Sequence, residues 1–281
     1  MAETANRYAM LGLERLDPLL NPVLETMAAH RSVRSFDGDR PLPDGTLEAL
    51  AVAAQSAATS SNLHSYSMIA LTDPGHKAEV IDLCGEYAFF KECPLFLVFC
   101  VDIRRLQRVC EIRERPFHAN TLNMFLTGAV DAALAAENTA VAAESMGLGT
   151  CMCGALRATP EAVADALRLP PGVFALVGLG IGYPKQVPPL KPRLPLSVML
   201  HHEYYSLSAQ EEGLAAYDRT MAESGAYAGR RVATADSRDG ADTEFYGWLE
   251  HTARRLSDAH DGYYTSREYR EILARLGFRL E

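Results

Sequence analysis

Three separated stretches of the chain carry cationic and hydroxyl side chains in a pattern that suits an anionic ligand. They are His30-Arg31-Ser32-Val33-Arg34, Thr59-Ser60-Ser61-Asn62 and Lys191-Pro192-Arg193. A guanidinium offers paired charge-assisted hydrogen bonds to a phosphate, and a serine hydroxyl adds another donor. Prolines around Lys191 and Arg193 keep that backbone extended, so the two side chains lose little entropy when aimed. The plainer alternative is that each stretch is a solvated surface charge, as most basic residues are. His201-His202-Glu203 is a poor metal candidate. Adjacent histidines on an extended chain point apart, and no HExxH or second ligand pair stands at metal spacing. No metal site is expected.

The element that must position such groups is the stretch from Leu122 to Met146, followed by Gly147-Leu148-Gly149. It is rich in Ala and Leu and free of proline, which predicts one long helix. Gly147 is the residue type that closes a helix in a left-handed cap. Asp131, Asn138 and Ser145 recur every seven residues with Glu137 and Glu144 beside them, leaving a single narrow polar stripe. A helix this apolar on its other sides belongs in a large core or a subunit interface. Its regularly spaced acids argue against a membrane span.

Around it, strands alternate with helices, the pattern of an α/β or α+β domain. Strands are expected at 67–72, 94–101, 150–153 and 173–181. Helices are expected near 19–29, after Asp44 as a cap, from Pro74 to Cys84, and after Thr159 as a cap. Residues 104–118 read as a charged surface segment, 1–17 as a loosely held arm, and 206–281 as a more polar helical extension of one domain. The run GRRVATADSRDGADT at 229–243 reads as a flexible loop. No GxGxxG follows a strand and no GxxxxGK[ST] occurs, so neither of those nucleotide folds is supported.

A formal net charge of -9 disfavours a nucleic-acid surface, which needs clustered Lys and Arg. The N-terminus lacks a basic start and apolar run, so no secretory signal is read there. The six cysteines show no CxxC, and several stand in apolar runs. They are expected to be buried and reduced, in a cytoplasmic protein. Cys151 and Cys153 are expected on opposite faces of their strand, with one sulfur turned toward a ligand.

Five motifs in order resemble the nitroreductase superfamily, in particular its oxygen-insensitive NADPH nitroreductases and NADPH-flavin oxidoreductases. They are His30-Arg31-Ser32-Val33-Arg34-Ser35-Phe36, Ala58-Thr59-Ser60-Ser61-Asn62-Leu63, Ala142-Ala143-Glu144-Ser145-Met146-Gly147-Leu148-Gly149, Gly180-Ile181-Gly182-Tyr183-Pro184, and Leu190-Lys191-Pro192-Arg193-Leu194-Pro195. The resemblance implies an α+β homodimer, a mixed sheet wrapped by helices, a long central helix at the dimer interface, and one FMN in each of two shared sites. It puts His30, Arg31 and Ser32 at the FMN phosphate and ribityl chain, with Lys191 and Arg193 closing the phosphate clamp. Arg34 falls beside the pyrimidine end of the flavin, where a cation stabilises charge on the reduced ring. Thr59, Ser60 and Ser61 reach the cofactor from the partner subunit, and the backbone of Cys153, Gly154 and Ala155 faces the hydride-accepting nitrogen. His64 and Ala155 depart from the usual Gln and Gly at their positions, and Tyr87 stands in a region that often carries a flavin-contacting Gln.

The function so implied is hydride transfer from NADPH or NADH through FMN to a nitroaromatic, quinone or flavin acceptor. Arg230 and Arg231 are the candidate cations for the NADPH ribose phosphate. Two rivals remain: a flavin or ferric reductase supplying a partner enzyme, and a non-catalytic flavin-binding sensor or store.

Overall fold

The computed structural model describes residues 7–85, 87–230, 246–257 and 268–280. The chain divides into two compact units, one of residues 1–29 with 189–266, the other of 30–188 with 267–281.

The second unit is built on a four-stranded sheet, β1 (Tyr66–Leu71), β2 (Leu95–Asp102), β3 (Gly149–Cys153) and β4 (Val173–Gly182), in the order β1-β2-β4-β3. All three pairings are antiparallel; among the described residues a parallel bridge joins Ser32 and Thr150 at the outer edge of β3. β2 is buried along its whole length. Its side chains alternate between two cores, Phe96, Val98 and Cys100 on one face and Leu95, Leu97 and Phe99 on the other. That period of two explains why a central strand reads as an unbroken apolar run.

The helix Leu122–Ser145 covers the second of these faces through Ala132, Ala135, Ala136, Ala140 and Ala143. It passes so close to the sheet that a Cβ on Gly128 would stand 2.7 Å from Val101 and 2.9 Å from the Ser65 carbonyl. Thr121 caps its start, its hydroxyl accepting from the Met124 amide, and Gly147 closes it at φ 77°. Both ends agree with the sequence expectation to within a residue. Among the described residues no helix is long and apolar enough to cross a membrane.

Several local expectations fail. Asp44 does not cap the helix Thr46–Gln55; the cap is Gly45 at φ 81°, and the Thr46 hydroxyl instead donates to the Pro43 carbonyl. Thr159 precedes the helix Pro160–Ala166, but its hydroxyl is drawn away to the Leu83 carbonyl at 2.7 Å. The 104–118 segment is a charged surface segment as expected, and part of it is a helix, Arg104–Ile112, with no buried residue and with Arg104 and Arg108 paired to Glu111. Cys151 and Cys153 share a face, because residues two apart on a strand point the same way. Both thiols enter the core and Met152 faces the other side.

The first unit holds the helices Pro22–Ala29, Gln210–Glu223 and Trp248–Ser257. Within the N-terminal arm a short helix, Arg7–Met10, precedes a 3-10 turn, Glu14–Leu19, and the Arg7 guanidinium donates to the Ala28 carbonyl at 3.0 Å. An arginine on the last carbonyls of a helix is a favourable C-terminal cap. The 187–195 passage carries no regular secondary structure, as its prolines require.

Candidate functional site

The segment from His30 to Phe36 is laid along β3. The Val33 amide donates to the Thr150 carbonyl at 2.8 Å, and at its far end the Asp37 amide donates to the Tyr183 carbonyl and the Lys185 amide to the Ser35 carbonyl, just beyond β4. Val33 and Phe36 are buried in the core while Arg34 between them is exposed. Gly149 permits the approach, since a Cβ there would lie 2.6 Å from the Val33 side chain. Ser32 meets Thr150 in the parallel bridge, and Arg34 comes near enough to β3 for its charge to act on Cys151.

Glu144, in the last turn of the central helix, organises this corner. One carboxylate oxygen pairs with His30 Nδ1 at 2.6 Å and accepts from the Thr150 hydroxyl at 2.6 Å. The glutamate side chain is 12% exposed and the imidazole 32%. A single, largely shielded carboxylate therefore fixes the imidazole, the strand edge and the helix end together. The rest of the 30–34 segment supplies two guanidinia and a hydroxyl and no acid, a donor set matched to phosphate and polyol oxygens.

The Thr59–Ser61 stretch hangs on a second carboxylate of the same helix. Asp131, 1% exposed, accepts from the Ser60 amide at 3.0 Å, the Ser65 amide at 3.2 Å and the Ser65 hydroxyl at 2.7 Å. Between these anchors the chain makes a 3-10 turn, Ser60–Asn62, with Ser61, Asn62 and His64 at φ 49°, 55° and 50°. Three left-handed non-glycine residues in one loop store strain that the surrounding bonds must hold. Ser60, Ser61 and His64 are exposed and Thr59 is half-buried. Asp131 and Glu144 are thirteen positions apart on one helix, which puts their loops about 20 Å apart along its axis.

β3 ends at Cys153, and Gly154–Ala158 turns at once into a 3-10 helix. The Cys153 sulfur is held below the ordinary thiol range by the Cys84 thiol donating to it and by the Ala155 and Leu156 amides. Burial pushes its neighbours the other way, Cys93 and Cys151 to about 11 and Cys100 to about 12, and the bond to Cys153 raises Cys84. All six cysteines are free thiols. Tyr87 is exposed, its ring 6.2 Å from that of Phe89.

In the other unit, Lys191 and Arg193 are exposed on either side of buried Pro192, whose carbonyl accepts from the Tyr217 hydroxyl at 3.5 Å. Arg193 lines a groove of about 270 Å³ with Met10, Leu13, Leu196 and Tyr217. Arg230 is exposed; Arg231, and the 229–243 loop from 231 onward, lie outside the described residues. His201 stacks on Tyr205 at 4.3 Å and accepts from the Ser206 amide.

Sequence reasoning found the cations but missed Glu144 and Asp131 as the groups that hold them. The only signal was their place in the polar stripe of the helix.

The model of the nitroreductase family matches residues 27–183, and that of the nitroreductase family C-terminal domain matches residues 191–281. The chain is 37% identical over 210 residues to a Bacillus subtilis (strain 168) protein named FMN reductase (NADPH), covering 73% of this chain and 83% of that one. To a second protein of that organism, the NAD(P)H-type FMN reductase, it is 34% identical over 269 residues, covering 93% and 100%. The solved structure of B. megaterium NfrA2 superposes with a TM-score of 0.81 at 33% identity, over 93% of this chain and all of that one.

Proposed function

The chain belongs to the nitroreductase family, and from that premise we propose that it is a homodimeric, FMN-dependent NAD(P)H oxidoreductase reducing nitroaromatic, quinone or flavin acceptors. The observation that carries the reading is the edge of β3, where Glu144 fixes His30 and Thr150 beside an acid-free run of donors. When bound, FMN would supply the hydride chemistry, accepting from reduced nicotinamide and passing on to the acceptor.

The residues of the chain bind, orient and tune. We assign Arg31 and Ser32, with His30 held in place by Glu144, to the phosphate and ribityl oxygens, and Lys191 and Arg193 to the same phosphate. Arg34 stabilises negative charge at the pyrimidine end of the ring. The backbone of Cys153, Gly154 and Ala155 faces the ring, and Thr59, Ser60 and Ser61 contribute from the partner subunit. The separation of about 20 Å along the helix between the two carboxylate anchors fits that last assignment. An exposed stripe on the central helix supports the dimer itself. Leu122, Leu126, Val130 and Leu134 follow at intervals of four, Leu126 at 54% and Val130 at 58% exposure. A twin helix would cover such a row. Arg230 and Arg231 are assigned to the ribose phosphate of NADPH. Both relatives described above are named FMN reductases, which favours free flavin among the acceptors.

The test is the visible spectrum of the purified protein, with oxidation of NADPH followed over a panel of acceptors. Flavin bands with turnover are expected. A yellow protein without turnover would make it a flavin-binding module, and a colourless one that takes up no added FMN would overturn the reading. In sedimentation, wild type should remain a dimer at low concentration, and Leu126→Glu with Val130→Glu should split it and release flavin.

A further inference from the structure

Five of the cysteines have no part in binding flavin as set out above, yet they gather in one place. Cys84, Cys93, Cys100, Cys151 and Cys153 all belong to the core on the face of the sheet that holds Phe96 and Val98. All are free thiols. Cys151 and Cys153 are the nearest pair in sequence, but they cannot join easily. Residues two apart on a strand stand about 6.5–7 Å apart with parallel side chains, whereas the Cβ atoms of a disulfide need about 3.5–4.5 Å. The partner of Cys153 comes from another element. The helix Pro74–Asp82 ends in Leu83 and Cys84. Two bonds tie this helix to the chain that follows β3: the Thr159 hydroxyl donates to the Leu83 carbonyl at 2.7 Å, and His76 Nε2 donates to the Ala166 carbonyl at 3.0 Å. At the Leu83 end, the Cys84 thiol meets the sulfur of Cys153.

The two sulfurs are not equivalent. The Cys84 thiol has one proton, with the Val80 carbonyl at 3.4 Å and the Cys153 sulfur both in reach. Cys153 accepts from that thiol and from the Ala155 and Leu156 amides, and the Arg157 charge acts on it as well. Donors of this kind stabilise a thiolate against the cost of burial. Cys93 has the opposite setting, its sulfur facing the Phe90 and Leu95 carbonyls at 3.0 and 3.2 Å, which keep its proton in place. One sulfur fit to attack, in contact with a protonated one fit to resolve, is what a peroxide-sensitive dithiol requires. Both sulfurs are buried, but their neighbours in sequence are small and reach solvent: Gly85 is exposed, and Gly154 and Ala155 are half-buried. Hydrogen peroxide, hardly larger than water, has little bulk to pass there.

We propose that Cys84 and Cys153 form an oxidation site for hydrogen peroxide and close reversibly into a disulfide. The Cys153 thiolate attacks one peroxide oxygen, the O–O bond breaks, and hydroxide leaves, giving a sulfenic acid at Cys153. The Cys84 sulfur then attacks the Cys153 sulfur, the S–O bond breaks, and the oxygen leaves as water with the Cys84 proton. Hydroxide takes up the proton that Cys153 had released. Two thiols and one peroxide thus become one disulfide and two waters, and a thiol reductant restores the pair. On the oxidoreductase reading the backbone of Cys153 faces the flavin, so the bond forms beside the cofactor; the oxidation itself does not rest on that reading.

The test is to treat the native purified protein with equimolar hydrogen peroxide, stop with catalase, alkylate in denaturant and map the peptides by mass spectrometry. Two of the six thiols should escape alkylation, and the digest should contain a Cys84–Cys153 cross-linked peptide that dithiothreitol separates. Cys84→Ser should form no cross-link and leave a sulfenic acid at Cys153 that dimedone traps. Cys153→Ser should slow the loss of thiols about tenfold or more, since the remaining sulfurs hold their protons. Cys93→Ser should form the bridge as wild type does. The wild-type map decides the matter even if a variant does not fold. A bridge from Cys153 to Cys93 or Cys151, dimedone labelling of Cys84→Ser at another cysteine and not at Cys153, or a native protein that keeps all six thiols would each overturn the proposal. The mapping needs neither flavin nor turnover. A protein that bound no FMN would therefore overturn the oxidoreductase reading while this measurement still decided the oxidation site.

Discussion

The two cation-bearing regions are held by opposite means. In the sheet unit, the loops carrying His30 and Ser60 are tied to the central helix through carboxylates with little or no contact with water, Glu144 and Asp131. In the other unit, Arg230 is exposed and leans on an imidazole and a tyrosine ring, with no carboxylate among its described partners. The first arrangement fixes geometry before any ligand arrives, which removes ordering cost from binding. The second, among the described residues, holds its cation at the surface through neutral groups. A resident cofactor needs the former, and a co-substrate that must leave after each turnover is served by the latter.

The comparison breaks most readily at Asp131. Asp131→Ala would strand two backbone amides and a serine hydroxyl in a buried setting. At about 1–3 kcal/mol for each unsatisfied group, and with partial relaxation, the expected loss is about 3–5 kcal/mol. Urea denaturation reads it directly, and Asp131→Asn, which keeps the shape and one acceptor, should lose less. An alanine variant as stable as wild type would mean that the 59–65 loop is not anchored there.

Glu144 sharpens the contrast, because its loss should be felt in binding more than in folding. Glu144→Gln keeps an acceptor for the Thr150 hydroxyl but removes the charge that orients His30. FMN affinity of the apoprotein should fall by about 1.5–3 kcal/mol, seen as weaker quenching in a fluorescence titration. Unchanged affinity would detach His30 from the phosphate site.

What the sequence made legible is what local periodicity encodes. The central helix, its Gly147 stop and the doubly buried β2 all follow from residue spacing, and five short motifs in order indicated the family. The anchoring roles did not show, because they act at a distance: Glu144 meets His30 across 114 positions and Asp131 meets Ser60 across 71. In the sequence both acids are members of one polar stripe. Gly128 and Gly149 are likewise required by what approaches them, Val101 and Val33, and nothing in their neighbours says so. Capping failed at Asp44 and Thr159 because short polar side chains have several backbone partners within reach. Arg230 likewise meets His251 across 21 positions.

The smallest expected effect tests the other side of the comparison. Arg230→Ala should leave stability within about 0.5 kcal/mol near pH 7.5, as for an exposed side chain outside any buried network. The Tyr246 hydroxyl still reaches Nδ1 of His251, so no acceptor is stranded. The pH dependence carries more information than the mean. His251 is held below its unfolded value, so the unfolded chain binds more protons and stability falls as pH drops through that interval. Removing the Arg230 charge narrows the gap, and the variant should therefore lose less stability than wild type between neutral pH and about pH 5. Urea midpoints at the two pH values give the answer. If Arg230→Ala instead destabilises the protein at neutral pH as Asp131→Ala does, Arg230 is a structural tie, and the contrast between a fixed and an exchangeable site is lost.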